Sequence, residues 1–296
     1  MPGDSAAAVV LRIDRLRLAF RGPVEVLHGV SLHVRRGEKV ALVGESGSGK
    51  SSIARIVLGL LQPMPGIAIA GSVRLGAQEI VAGGGAIRRA RGDRVSMIFQ
   101  DPASALNPTF TIRDQFREVL RRAEPALGNA AADARARAAL IDVSLDQPER
   151  VLESYVFQLS GGMSQRVMIA LALANHPDLV VADEPGSALD VTVQARTLRL
   201  MDELAARRGT AVLFISHNLG AVREFADRVY VIYRGHMVEH ATAAQLFADP
   251  RHPYTQALLA AVPRLDAAGL ADVADTTVGF TDPLIEHPGC AEVALP

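Results

Sequence analysis

Gly44-Glu45-Ser46-Gly47-Ser48-Gly49-Lys50-Ser51 fits G-x-x-x-x-G-K-[ST] at every fixed position. Glycines let successive backbone N–H groups curl around an anion. A helix starting at the lysine would aim unpaired N–H groups and its positive dipole end at the same phosphates. Lys50 is spaced to reach the β- and γ-phosphates of a nucleotide, and the Ser51 hydroxyl to bind Mg²⁺. Ser52 continues the same turn and joins Gly44 to Ser51 as a nucleotide contact. Lys39 and Lys50 are the two lysines in a chain that otherwise uses arginine. A compact ammonium suits a crowded phosphate site better than a guanidinium fork.

A second constellation is acidic. Leu179 to Ala182 is apolar and runs into Asp183-Glu184. Two carboxylates at the C-terminal end of a strand face the ligand crevice of an open α/β sheet. Asp183 is placed to hold Mg²⁺, and Glu184 to orient and deprotonate an attacking water. A lone Asp-Glu is often just an acidic turn. Here the phosphate loop calls for such a partner.

The elements that must hold these residues are legible around them. Residues 9 to 34 alternate apolar and polar, with a break at Gly22-Pro23, which predicts antiparallel strands. Val40 to Val43 reads as a short strand into the glycine loop. Ile53, Ile56, Val57 and Leu60 then fall at helical spacing, predicting a helix that ends near Gly59-Leu60. Gly71 to Ile80 reads as a strand and turn, Gly83 to Gly85 as a loop, and Arg88, Arg89 and Arg91 as a solvated basic cluster. Val95 to Phe99 reads as a buried strand, and Asp114 to Leu145 as helices. Leu179 to Ala182 and Val212 to Ser216 are strands that each follow a helical segment. That is the pattern of a parallel sheet with helical crossovers. Val229 to Tyr233 and Met237 to Glu239 read as a hairpin around Arg234-Gly235. Past Leu265 periodicity fades, and that tail is expected to be partly loose.

Composition removes several classes. The 296 residues are 49% apolar, enough for a large core without staples. A net charge of −1 argues against a chain built to coat nucleic acid. One cysteine, Cys290, excludes an internal disulfide framework and a zinc or iron–sulfur site made from this chain's own thiols. The start shows no signal-peptide pattern, and no run approaches 18 apolar residues.

Between the phosphate loop and the acidic strand lies Leu159-Ser160-Gly161-Gly162-Met163. Alone it would be an ordinary helix start. In this order it resembles the signature motif of ABC-transporter ATPases, usually LSGGQ. The resemblance spans about residues 9 to 265. It implies that Gln100 is the Q-loop glutamine, touching Mg²⁺ or water. It also implies that Ser187 to Asp190 is the D-loop, with Asp190 at the nucleotide site, and His217 the switch histidine that contacts the γ-phosphate. Phe20 resembles the aromatic that stacks on adenine. Ser160, Gly161 and Gly162 would form a second anion site, closing on ATP held by a partner subunit. Glycine would be needed there because a Cβ would block close backbone approach.

Finer detail resembles the D-type ATPases of oligopeptide, dipeptide and nickel importers. The residues are Phe99 to Pro102, Leu106 to Pro108, LSGGMSQRV at 159 to 167, ALDVTVQ at 188 to 194, and HPYT at 252 to 255 with Leu258-Leu259 and VPRL at 262 to 265. Three positions depart from that pattern. Gly186 follows Pro185 where threonine is usual and should loosen the backbone beside Glu184. Asn218 stands where Asp is usual, and Ser164 where Arg is frequent.

The expected fold is therefore α/β, a P-loop NTPase (RecA-like) parallel-sheet core with an N-terminal antiparallel β subdomain and an inserted α-helical subdomain. The expected division is a nucleotide-binding domain over 9–240, with the insert at about 101–165, and an importer-type extension over 241–296. The resemblance implies ATP hydrolysis with Mg²⁺, driving uptake of di- and oligopeptides, or alternatively of nickel or another small solute. The implied partners are two integral-membrane permeases and a second, F-type ATPase or a second copy packed head to tail. A solute-binding protein would act indirectly, and no nucleic acid is expected. The implied location is peripheral, on the cytoplasmic face of the inner membrane. A soluble ABC ATPase acting on nucleic acid or ribosomes fits less well, because tandem ATPase domains, zinc cysteines and long coiled coils are missing. An exporter ATPase fits poorly with the HPYT and VPRL segments, and a small-molecule kinase with LSGGM.

Pro288-Gly289-Cys290 echoes the start of a cysteine-rich segment that some D-type members use for an iron–sulfur cluster, but no second cysteine accompanies it. Anaerobically purified protein is expected to carry no stoichiometric iron or sulfide by elemental analysis. Stoichiometric iron would overturn that reading.

Overall fold

The computed structural model describes residues 8–21, 24–81, 90–186, 191–261, 284–288 and 290. The alternating N-terminal segment forms β1 (Val9–Phe20) and β2 (Glu25–Arg35). They pair antiparallel with each other and, through β1, with β4 (Ile67–Leu75), which pairs with β5 (Gln78–Glu79). The strand expected from Gly71 thus starts earlier, at Ile67, because β1 offers partners as far as Phe20.

The second sheet is central. Its order is β11-β10-β9-β3-β8-β7-β6, with β3 at Lys39–Val43, β6 at Val95–Ile98, β7 at Leu179–Asp183 and β8 at Ala211–Ile215. β9 (Arg228–Tyr233) and β10 (His236–Thr242) form the expected hairpin. β3, β6, β7, β8 and β9 run parallel. β11 (Ile285–Glu286) adds to the far edge, parallel to β10. This short strand comes from the tail expected to be loose. Gly83 to Gly85, Arg88, Arg89 and most of that tail lie outside the described residues.

Period-2 burial sorts the central strands onto two faces. Val40, Leu42, Leu213 and Ile215 join the core shared with the antiparallel sheet and α1 (Lys50–Val57). Ala41, Val43, Val212 and Phe214 join the core on the other face. There they meet α6 (Gly161–Leu173), α7 (Val191–Arg208) and α8 (Leu219–Phe225). Between β6 and β7 come α2 (Pro102–Ala105), α3 (Ile112–Ala123), α4 (Asn129–Asp142) and α5 (Pro148–Glu153), then α6. Past the hairpin lie α9 (Ala243–Ala248) and α10 (Pro253–Ala260). α1 ends at Val57, earlier than the spacing suggested. The backbone turns left-handed at Gly59, so Leu60 swings out to 52% exposure instead of extending the apolar face. Among the described residues no helix is long and apolar enough to cross a membrane.

One buried polar cluster ties the two sheets together. The Arg228 guanidinium, 3% exposed, donates to both Glu38 carboxylate oxygens at 2.8 and 3.1 Å. It also donates to the His33 carbonyl at 2.8 Å and lies 2.9 and 3.1 Å from Nε2 of His33 and His240. Burial, followed by the charge of Arg228, holds both imidazoles down to a pKa of about 3. Glu239 lies next in sequence and is fully buried. Burial pushes its carboxyl up. Hydrogen bonds from Thr255, the Arg251 amide, His287 and the His252 amide outweigh that and hold it below the usual range.

His33 and His240 are therefore neutral in the folded chain but take up protons near pH 6.5 once unfolded. A depressed folded pKa gives stability that is complete above about pH 6.5 and declines as pH falls toward 3. Between pH 6.5 and 5 each imidazole forfeits about 2 kcal/mol. The melting temperature is expected to drop by at least about 4 °C from pH 7 to pH 5. A flat melting temperature over that interval would refute the neutral-histidine cluster.

Candidate functional site

The phosphate loop leaves β3 at Gly44 and enters α1 at Lys50. Gly44 has φ +152, and a Cβ there would sit 2.0 Å from the Ile232 carbonyl oxygen. Gly49, with φ +106, would place a Cβ 2.5 Å from Leu27 Cδ2. The loop thus rests directly on β9 and β2. The Gly235 N–H donates to the Ser48 carbonyl at 3.2 Å, so the hairpin turn expected at Arg234-Gly235 supports the loop from outside.

Lys50 is 6% exposed, and its Nζ donates to the carbonyls of Gly44 and Glu45 at 2.7 Å each. Burial lowers its pKa, opposed by the charges of Glu184, Asp183 and Glu45. Ser51 hydrogen-bonds Asp183, whose carboxyl is raised by burial and by neighbouring Glu184 against the pull of Ser51 and Lys50. Glu45, Ser46 and Gly47 are exposed and Ser52 is half-buried. The Ser48 hydroxyl is buried and has no hydrogen-bond partner among the described residues.

Strand register assembles the rest. Ile98 pairs with Ala182, and Asp183 with Ile215. Gln100, Glu184 and His217 therefore follow neighbouring strand ends by one or two residues. Glu184 Oε1 lies 2.7 Å from His217 Nδ1, and Gln100 Nε2 donates to Glu184 Oε2 at 3.2 Å. Glu184 is left-handed, φ +48, with its N–H donating to the Ile215 carbonyl at 2.8 Å. That conformation costs a non-glycine residue about 1 kcal/mol. The Glu184 carboxylate meets groups that follow both neighbouring strands, His217 after β8 and Gln100 after β6. Gly186 is left-handed too, φ +78, which glycine adopts without strain. The departures at Asn218 and Ser164 are accommodated. Asn218 caps α8, accepting from the Ala221 N–H at 3.2 Å, and Ser164 is buried in α6. Asp101 caps α2 through the Ala103 N–H at 2.9 Å, fixing the chain just after Gln100.

Two predicted groups lie apart from this cluster. Ser160 caps α6 by accepting from the Met163 N–H at 3.3 Å. With Gly162, Met163, Arg166 and Arg196 it lines a concavity of about 710 Å³ that includes no described residue of the phosphate loop. A Cβ on Gly162 would meet nothing nearer than Val193 Cγ1 at 3.9 Å, so nothing described within the chain requires glycine there. Phe20, 38% exposed at the end of β1, lines a shallow depression with Arg21, Met64 and Ile67. Asp190 and the rest of Ser187 to Asp190 lie outside the described residues. Sequence reasoning missed Tyr254, whose hydroxyl accepts from the Glu45 N–H at 3.0 Å. The HPYT segment was informative as a pattern, but no spacing linked it to a loop 209 residues away.

The parallel sheet, the glycine loop with its lysine, and the carboxylates at adjacent strand ends define a P-loop nucleotide-binding cassette. The family model for "ABC transporter" matches residues 27–187, and the model for "Oligopeptide/dipeptide transporter, C-terminal region" matches residues 238–291. The chain belongs to the ABC transporter ATPase family.

It is 47% identical to an oligopeptide transport ATP-binding protein, OppD, of Mycobacterium bovis, over 88% of this chain and 43% of that protein. The chain thus spans less than half the length of that relative. It is 40% identical to OppD of Bacillus subtilis over 94% of this chain and 78% of that one. Against a probable D,D-dipeptide transport ATP-binding protein of Escherichia coli it is 45% identical, over 86% and 78%. Among solved structures, a dimeric ATP-binding cassette in a post-hydrolysis state with ADP and Pi matches with a TM-score of 0.69. That match is 27% identical over 79% of this chain and 98% of the cassette.

The glycine geometry gives a test by substitution. Gly47→Ala adds a Cβ to open space at φ +82 and is expected to cost about 1–2 kcal/mol. Gly44→Ala drives a Cβ into a backbone carbonyl and should cost about 2 kcal/mol beyond that. Thermal unfolding of the two variants reads the difference. Equal melting temperatures would contradict the close approach of Gly44 to β9.

Proposed function

We propose that the chain is the ATP-binding and ATP-hydrolysing subunit of an importer of di- and oligopeptides. The observation that carries the hydrolytic part is Glu184, held between His217 and Gln100 beside the Lys50–Ser51–Asp183 group. The match of residues 238–291 to the oligopeptide/dipeptide transporter region supports the peptide assignment. The names of the Mycobacterium and Bacillus relatives support it too.

ATP enters as substrate. Amides of the loop Gly44 to Ser52, that of Glu45 being taken by the Tyr254 hydroxyl, and the Lys50 ammonium bind its phosphates, and Phe20 offers its face to the base. The orphaned Ser48 hydroxyl fits a site that expects a further polar guest. Ser51 and Asp183, an all-oxygen pair already in contact, suit a hard cation. When bound there, Mg²⁺ would neutralise charge on the phosphates. Glu184 accepts the proton of the attacking water. His217 and Gln100 fix the carboxylate that does so, and His217 contacts the γ-phosphate. Ser160, Gly161 and Gly162 complete the site of a partner ATPase, and Asp190 contributes at the same junction.

Two such subunits, this one and an F-type relative or a second copy, sandwich ATP head to tail. Closure favours the ATP-bound pair, and hydrolysis reopens it. Two integral-membrane permeases receive the movement through the Gln100 region and the helices at about 101–165. An external solute-binding protein delivers the peptide. The subunit sits at the cytoplasmic face of the membrane, with a nucleotide-binding domain over 9–240 and the extension after it.

Uptake of labelled di- and oligopeptides in a deletion strain tests this. Wild type should restore uptake. Glu184→Gln should not, with ATP turnover down about 10²- to 10⁴-fold and ATP binding intact. Restoration by Glu184→Gln would remove Glu184 as the base. Unchanged peptide uptake in the deletion strain would remove the peptide assignment.

A further inference from the structure

Tyr254 has no chemical role in the scheme above, yet it touches the phosphate loop. Its ring is fully buried against Tyr233, with centroids 4.3 Å apart and planes at 38°. Its hydroxyl accepts from the Glu45 N–H at 3.0 Å. The carbonyls of Gly44 and Glu45 are already held by Lys50 Nζ at 2.7 Å each. The first turn of the loop is thus gripped from two sides, its carbonyls by the phosphate-binding lysine and its Glu45 N–H by a residue of the C-terminal region. Packing alone would not need the hydroxyl, since a phenylalanine ring fills the same space.

Tyr254 is itself set by a chain of buried polar contacts. His252 caps α10, its Nδ1 accepting from the Tyr254 N–H at 3.1 Å. The Glu239 carboxylate on β10 accepts from the N–H groups of Arg251 and His252 at 2.8 and 3.1 Å. His287 Nε2 lies 2.8 Å from Glu239 Oε1, and the His287 N–H donates to the His240 carbonyl at 3.1 Å. One buried carboxylate therefore joins β10, the start of α10 and the residues after β11. Removing a partner from such a group leaves the charge under-solvated, so these links are stiff.

We propose that Tyr254 is a positioning residue for nucleotide binding, its hydroxyl presetting the Gly44–Glu45 turn. This rests on the reading of Gly44 to Ser52 as the ATP-binding loop. Lys50 must release or share two carbonyls to meet phosphates. A turn held by Tyr254 keeps its shape when that happens, and a turn without that hydroxyl has to be ordered by the ligand itself.

The test is binding of a fluorescent ATP analogue with Mg²⁺ to the full chain, comparing wild type, Tyr254→Phe and, as a loop control, Lys50→Ala. Tyr254→Phe should weaken binding three- to tenfold, the range for losing one neutral hydrogen bond. Its KM for ATP should rise by the same factor while kcat at saturating ATP stays within about twofold. Residue-resolved amide exchange separates positioning from general destabilisation. The Glu45 amide should exchange faster in Tyr254→Phe while β7 and β8 amides keep wild-type rates. Binding within twofold of wild type, or accelerated exchange throughout the sheet, would overturn the proposal. Exchange in the wild type needs no variant, and a Glu45 amide as unprotected as that of Ser46 would overturn it too. If wild type and Lys50→Ala bind equally poorly, the ATP-loop reading itself falls, a result distinct from failure of Tyr254 alone.

Discussion

The pairing register of the parallel strands is the constraint on which the site depends. Ile98 opposite Ala182 and Asp183 opposite Ile215 leave three chain ends at one edge of the sheet. Each then needs only one or two residues to bring Gln100, Glu184 and His217 within hydrogen-bonding distance. A slip of one residue in any strand would send its core side chains to the opposite face and dissolve both cores at once. Burial on two faces therefore fixes the register, and the register fixes the chemistry. β3 obeys the same rule and delivers Gly44 to the same edge.

The polar interior answers a different need. Arg228 reaches Glu38 and His33 across the gap between the sheets, where apolar contact alone would allow one layer to slide on the other. Buried charges are tolerated because every donor direction meets an acceptor. The Glu239 cluster does the same for the C-terminal region, and through Tyr254 it reaches the Gly44–Glu45 turn. The two clusters meet at consecutive residues of one strand, His240 and Glu239.

What the sequence disclosed and what it hid divide along a physical line. Local signals were legible: the glycine loop, the alternating strands, the helix start at Ser160, the acidic pair at a strand end. Gly186 and Asn218, which looked like departures, turn out to suit a left-handed turn and a helix cap. Contacts set by topology were not legible. Nothing near His33 announces Arg228, and nothing in HPYT announces Glu45. Element ends also shifted where a partner or a turn decided them, as at Ile67 and Val57. The two-residue strand at Ile285–Glu286 is too short to show a period, so only pairing with β10 reveals it.

Gly162 separates what folding asks of this chain from what an assembly would ask of it. It sits second in a thirteen-residue helix, where alanine would favour the helical backbone and touch only Val193 at ordinary distance. A redesign scored on thermostability would replace it early. Gly44 would survive the same procedure, because β9 objects to any side chain there. Stability screens thus protect one glycine of this protein and discard the other, and a catalogue of heat-resistant variants would be blind to whatever approaches the chain from outside.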